Sequence, residues 1–222
     1  MALKPADWQA IETVLLDMDG TLLDLHFDNY FWLTHLPEVY SRKHGISVAQ
    51  ANDFLFDLMG RIRGSIEWYC LDYWSSTLDL DIATMKLDVA HKIALRPYAR
   101  EFVQALQNQG KHVVLLTNAH RGSLSLKMQR TALDEHFDRL ISTHDYGVPK
   151  EDQRLWDALK ADCAYDPTST LLIDDTETVL QSAHDYGIAY LLTIKQPDSM
   201  HPPRLDLKFP AIDHFDEVMP HG

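Results

Sequence analysis

The stretch VLLDMDGTLLD, residues 14–24, constrains the fold more than any other. An apolar run stops at two aspartates one residue apart, Asp17 and Asp19, followed at once by Gly20-Thr21. Apolar side chains of this kind belong in an interior, whereas a buried carboxylate is costly unless a partner compensates its charge. A chain that carries two acids to the end of a buried strand must also supply something to hold them.

Runs of the same character recur as HVVLLTN (112–118), RLIST (139–143), STLLIDD (169–175) and AYLLTI (189–194). Between them lie helix-period segments: YAREFVQALQNQG, SLSLKMQRTAL, EDQRLWDALKADC and TETVLQSAHDYG, two of which close on Gly110 and Gly187. Glycine is the usual residue just past a helix C-terminus. Strands alternating with helices predict βαβ units and a mostly parallel sheet, and near-continuous apolar strands fit a sheet covered on both faces. The predicted fold is α/β, a doubly wound and mostly parallel sheet. Residues 27–95 break the rhythm: they carry no strand signal and read as several helices, among them NYFWLTHLPEVYSRKHG (29–45) and SIEWYCLDYWSSTLDL (65–80), too long for an ordinary connection. They are expected to form an inserted all-helical cap subdomain on a core of residues 1–26 and 96–222, with Pro97 at re-entry. A proline-rich stretch follows Ile194, and a short helix is expected around residues 212–219.

Composition narrows the function classes. The 20 Lys+Arg against 33 Asp+Glu give a formal net charge of −13. That disfavours nucleic-acid or anionic-membrane partners, which need a basic surface, but not a small phosphorylated metabolite. The N-terminus, MALKPADWQAIE, lacks a signal pattern, no apolar run reaches spanning length, and Cys70 and Cys163 form no metal-type pair. A cytoplasmic protein is expected. The chain leaves its oligomeric state open.

Carboxyl-terminal strand ends in an open parallel sheet converge on the crevice where ligands bind. That rule gathers Asp17, Thr117, Asn118, Asp174 and Asp175, and puts Lys150 of YGVPKED on the same rim. Carboxylates so crowded call for a cation, most simply Mg²⁺ with hard oxygen ligands. The bland alternatives are a solvated turn for Asp-x-Asp, an N-cap for Asp174-Asp175, and an ordinary surface lysine and strand end for the others. The sheet geometry that collects them decides against the turn, the surface lysine and the plain strand end, whereas the cap and ligand readings of Asp174-Asp175 hold together, with Asp175 the safer ligand. DLD at residues 79–81 reads as a cap between helices, and the 12 histidines show no zinc spacing.

As a set, DMDGT, LLTN, the lysine of GVPKED and LIDD resemble the motifs of the haloacid dehalogenase-like (HAD) hydrolase superfamily, over nearly the whole chain. The phrases TVLLDMDGTLLDLHFDNYFW, WYCLDYWS and THDYGVPKEDQRLW are more narrowly similar to its bacterial GMP/IMP nucleotidases. The resemblance implies a Mg²⁺-dependent phosphomonoesterase of purine nucleoside 5′-monophosphates. It implies Asp17 as the nucleophile that becomes an aspartyl-phosphate, and Asp19 as general acid and base. Thr117, Asn118 and Lys150 would contact or balance the phosphoryl group. Asp17, Asp174, Asp175 and the Asp19 main-chain carbonyl would be metal ligands. A sugar-phosphate phosphatase and a catalytically silent phosphate-binding protein are the alternatives.

The insertion is aromatic: Tyr30, Phe31, Trp32, Trp68, Tyr69, Tyr73 and Trp74. These read first as a packed core and second as one or two rings for a purine base. A single helix would put Tyr69 with Tyr73 and Cys70 with Trp74 on shared faces. His26, Asp28 and Asn29 are candidates to reach a base or ribose. Lys43, Lys86 and Lys92 carry no distinguishing context.

Overall fold

The computed structural model describes residues 5–220. The start of the stretch read as lacking a signal pattern, and residues 1–4 and 221–222 of the expected core, lie outside them. A short helix α1 (Pro5–Ala10) leads into β1 (Thr13–Leu16). After the insertion come α7 (Ala99–Asn108), β2 (His112–Thr117), α8 (Arg121–Thr131), β3 (Arg139–Ser142), α9 (Gln153–Cys163), β4 (Thr170–Ile173), α10 (Glu177–Tyr186), β5 (Tyr190–Ile194) and β6 (Ala211–Ile212).

Among the described residues the sheet is six-stranded and all parallel in the order β3-β2-β1-β4-β5-β6. That order reverses between β1 and β4, so the crevice at their carboxyl ends is the switch point of a doubly wound sheet. Alternation along the strands divides the core in two. Val14, Leu16, Val113 and Leu115 pack with Phe102 and Leu106 of α7 and Leu124 and Met128 of α8. Leu15, Val114, Leu116 and Leu172 pack with Trp156 and Leu159 of α9 and Leu180 of α10. Residues one apart on a strand thus face opposite helical layers, which is why the strands read as unbroken apolar runs.

The helices of the insertion are α2 (His26–Tyr30), α3 (Leu36–His44), α4 (Val48–Ile62), α5 (Leu71–Leu78) and α6 (Ile82–Asp88). They enclose their own apolar cluster, centred on Phe27, Phe31, Leu55, Leu71, Trp74 and Ile82. Ser47 caps α4 in a capping box with Gln50, and Asp79 and Asp81 end α5 and cap α6 as the sequence suggests. The two connections to the sheet run side by side: Asp24 N donates to Ala94 O (2.9 Å) and Arg96 N to Leu22 O (2.9 Å).

Four expectations are corrected. Residues 29–45 are not one helix, since a π turn over Phe31–His35 separates α2 from α3. Pro37 has no N–H to continue the ladder, and Leu36 N reaches back five residues to Phe31 O instead. Residues 65–80 are also broken: a 3₁₀ turn (Ile66–Tyr69) ends at Cys70, which is extended and caps α5 through its sulfur. Tyr69 and Cys70 therefore lie before the helix that holds Tyr73 and Trp74, and the shared faces do not exist. Ile212 belongs to the sixth strand, and the terminal helix shrinks to a 3₁₀ turn over Phe215–Val218. Lys86, finally, has a very distinct context, being buried within the insertion. Among the described residues no helix is long and apolar enough to cross a membrane.

Candidate active site

Beyond β1 the chain turns back on itself. Gly20 N donates to Leu23 O (2.8 Å), and Leu22 and Leu23 donate to Met18 O. Gly20 adopts φ +84°, and a Cβ there would lie 2.6 Å from Asp175 Oδ2, so only glycine fits without displacing that carboxylate. The neighbouring Thr21 is fully buried and accepts from Asp175 N through Oγ1 (3.0 Å). The turn after the first strand and the end of the fourth are thereby one unit.

Carboxylate oxygens of Asp17, Asp174 and Asp175 all lie within 4.8 Å of one another. Three hard oxygen donors at that spacing suit a divalent cation. Lys150 lies against two of these acids. Its Nζ donates to Asp17 Oδ1 (2.5 Å), Asp174 Oδ2 (2.6 Å) and Leu116 O (3.2 Å), which uses all three of its protons. The Lys150 side chain is nearly inaccessible, at 3% exposure, and so are those of Asp17 (7%) and Asp174 (1%). Main-chain carbonyls behind the acids are also held: Thr193 Oγ1 donates to Asp174 O, and Arg204 to Asp175 O.

One lysine does not balance these acids. Burial lifts Asp17 to about 6 despite Lys150, with Asp174 adding to the rise. Burial likewise lifts Asp174 against the same lysine. Burial, with Asp17 and Asp174 as like-charged neighbours, holds Asp175 well above the usual carboxylate range. Burial also raises Asp19 to about 6 in spite of Lys127. Lys150 is pushed upward, since Asp17 and Asp174 outweigh its own burial. An acid raised from 3.8 to about 6 on folding stays protonated in the fold when the unfolded chain has ionised. Stability therefore falls as pH rises from about 4 to about 6, and above that the cluster opposes folding unless further positive charge enters it.

Thr117 ends β2 and Asn118 follows it, both buried. Thr117 Oγ1 accepts from Ala119 N (3.0 Å). Asn118 is already committed: Oδ1 accepts from Thr143 Oγ1 (3.0 Å) and Lys150 N (2.9 Å), and Nδ2 donates to Glu151 Oε2 (3.0 Å). Its side chain orders the Lys150 loop. The other Glu151 oxygen accepts from Tyr69 Oη (3.1 Å), a contact between the insertion and the core loop.

Asp19 stands apart from the three-carboxylate group and is 20% exposed. It accepts from Lys127 of α8 at 2.6 Å, and Lys127 also donates to Asp28 of α2 at 2.6 Å. Asp28, held down at about 2 because Lys127 and Lys86 overcome its burial, is paired on its other oxygen with Lys86 (2.8 Å). Both Asp28 oxygens are therefore engaged by lysines. Asn29 instead donates to Asp198 Oδ2 (2.7 Å), with His26 close to the same aspartate. Among the aromatics, Phe31 and Trp74 are buried in the insertion's core, and Trp74 Nε1 donates to Trp68 O.

Sequence reasoning missed Lys127, Lys86, Thr21, Glu151, Thr143, Thr193 and Arg204. Lys127 did leave a trace. It lies three residues after Leu124 and four before Thr131, within the buried stripe of α8, where a leucine would be ordinary. Lys86 sits in the same way, four residues after Ile82.

A family model described as haloacid dehalogenase-like hydrolase matches residues 11–187. GMP/IMP nucleotidase YrfG of Escherichia coli (strain K12) is 42% identical over 213 residues, 96% of each chain, and the Shigella flexneri protein of that name matches equally. Among solved structures, a HAD phosphatase from Thermococcus onnurineus superposes with a TM-score of 0.79 at 20% identity, over 94% of this chain and 96% of that one.

Proposed function

The chain belongs to the haloacid dehalogenase-like hydrolases, and from that membership we propose that it is a Mg²⁺-dependent phosphomonoesterase acting on purine nucleoside 5′-monophosphates. The observation that carries the reaction is the meeting of Asp17, Asp174, Asp175 and Lys150 at the switch point of the sheet. The substrate rests on the 42% identity to a GMP/IMP nucleotidase over 96% of the chain.

In this reading Asp17 attacks phosphorus. The bond from phosphorus to the ester oxygen breaks as the bond to the Asp17 carboxylate forms, giving an aspartyl-phosphate. Asp19 gives its proton to the departing oxygen. It then takes a proton from the water that attacks the same phosphorus, which frees Asp17 and releases inorganic phosphate. The raised proton affinity of Asp19 suits both roles, since the group can carry a proton near neutral pH. Lys150 offsets negative charge on Asp17 and on the transferring group. Thr117 would offer its hydroxyl to a phosphoryl oxygen, and Asn118 serves by fixing Lys150 and Glu151.

Asp17, Asp174, Asp175 and the Asp19 main-chain carbonyl would hold Mg²⁺, whose charge lets an anionic carboxylate approach an anionic ester. The donor chemistry fits: all are hard oxygens, and the cluster has more negative charge than one lysine offsets. Residues 27–95 act here as a cap that closes over the crevice and excludes water. The Tyr69–Glu151 contact is one point at which they meet the core.

Initial rates on a panel of nucleotide and sugar monophosphates test the reading. GMP and IMP should give the highest kcat/KM, with activity lost on chelation and restored by Mg²⁺. A sugar phosphate leading the panel would replace the substrate assignment, and silence on every phosphomonoester would remove the activity.

A further inference from the structure

Asp19, Lys127, Asp28 and Lys86 form a chain of alternating charges from the candidate acid into the helical insertion. Successive contacts measure 2.6, 2.6 and 2.8 Å. The Lys127 and Lys86 side chains are 1% and 3% exposed, and that of Asp28 is 15% exposed. Aromatic rings surround the cations: the Lys127 ammonium lies 5.2 Å from the centre of Phe27, and that of Lys86 lies 5.0 Å from Phe27 and 4.9 Å from Phe31.

We propose that Lys127, itself anchored by Asp28, is a positioning residue that fixes the Asp19 carboxylate for proton transfer to the leaving ester oxygen. The inference rests on the acid role given to Asp19 above. A carboxylate with both oxygens free can turn about its Cβ–Cγ bond. A charge-assisted bond to Oδ1 stops that rotation and leaves Oδ2 to carry the mobile proton. Proton transfer needs the donor within about 2.6–3.2 Å of its target, and a misplacement of about 1 Å can cost about 10²-fold in rate.

Packing alone does not account for the lysine. Burying an ammonium among apolar residues is costly, and a leucine at this point of the α8 stripe would avoid that cost. The anchor is also informative. Lys127 belongs to the sheet-flanking layer, whereas Asp28 and Lys86 come from α2 and α6 of the insertion. The anchor of the Lys127–Asp19 contact is thus complete only while the insertion is docked on the core, and an open enzyme would hold Asp19 less well.

The experiment compares kcat/KM for GMP with that for 2,4-dinitrophenyl phosphate, in the native enzyme and in Lys127→Met, Lys127→Gln, Asp28→Asn and Asp19→Asn. kcat/KM covers the steps through the first P–O cleavage. The nitrophenolate leaves without a proton, whereas the nucleoside oxygen needs one. In the ratio of the two constants the concentration of folded enzyme cancels, so a variant that is merely unstable does not move it. Asp19→Asn should lower the GMP-to-aryl ratio most. Lys127→Met should lower it about 10–100-fold with little change in the aryl reaction. Lys127→Gln, which keeps a donor and serves where Met folds poorly, and Asp28→Asn should lower it less. A native ratio in both Lys127 variants, beside a lowered ratio in Asp19→Asn, overturns the proposal. A native ratio in Asp19→Asn overturns the acid assignment and this proposal with it.

Discussion

Replacing Asp17 by Asn should reduce turnover of every phosphomonoester by about 10⁴-fold or more, the scale expected when a covalent nucleophile is removed. The fold should survive. The amide keeps the shape of the side chain while removing one of the buried negative charges that crowd the cluster, and Lys150 retains Asp174 (2.6 Å) and Leu116 O. The thermal midpoint should therefore match or exceed that of the native protein when divalent cations are chelated. Rates and melting curves on one preparation separate the two effects. A variant as stable as the native chain that still turns over at a tenth of its rate would deny Asp17 the nucleophile's part.

Lys150→Met should do the opposite, striking stability as well as rate. It leaves Asp17 and Asp174 buried with no counter-ion, and removing one partner of a buried ion pair costs about 3–5 kcal/mol. For a chain of this length that is a fall of roughly 6–20 °C in thermal midpoint. The direction of the acid shifts adds a test. Asp17 is already raised to about 6 with the lysine in place, and without it both acids should climb further. Lowering the pH toward 5 should therefore restore part of the lost stability, by letting the stranded carboxylates take up protons. A midpoint in Lys150→Met equal to the native value at pH 7.5 would show that the ammonium does not offset these charges.

The parts of this architecture that could be read from the residues are those with a period or a punctuation mark. Five strands appear because unbroken apolar runs fit a sheet buried on both faces, and α10 ends at Gly187, with φ of +104°. The acid cluster was legible because a parallel sheet sends every carboxyl-terminal strand end to one edge, so the polar residues after Leu16, Leu116 and Ile173 had to meet. The sixth strand was hidden by its length, two residues after a proline-rich loop, too short to show alternation. The break at Cys70 was hidden because a thiol, not Ser, Thr, Asp or Asn, caps α5. Lys86, Lys127 and Asp28 were hidden for a deeper reason. Pattern reading assigns charged residues to solvent, and these are inside because Asp28 pairs with both lysines. Their partners lie 58 and 99 residues away in the chain, and no local spacing records that.

The central claim, that the carboxylates of Asp17, Asp174 and Asp175 hold a divalent cation, is tested most directly by the thermal midpoint as a function of Mg²⁺ concentration at pH 7.5. In the native chain the midpoint should climb with the logarithm of concentration. At 100 times the dissociation constant the gain should be about 2.7 kcal/mol, or roughly 5–11 °C. In Asp175→Asn, whose own cation-free midpoint should be no lower, the climb should shift to much higher concentrations. A native midpoint that stays flat to saturating Mg²⁺, or an equal climb in Asp175→Asn, would contradict the account.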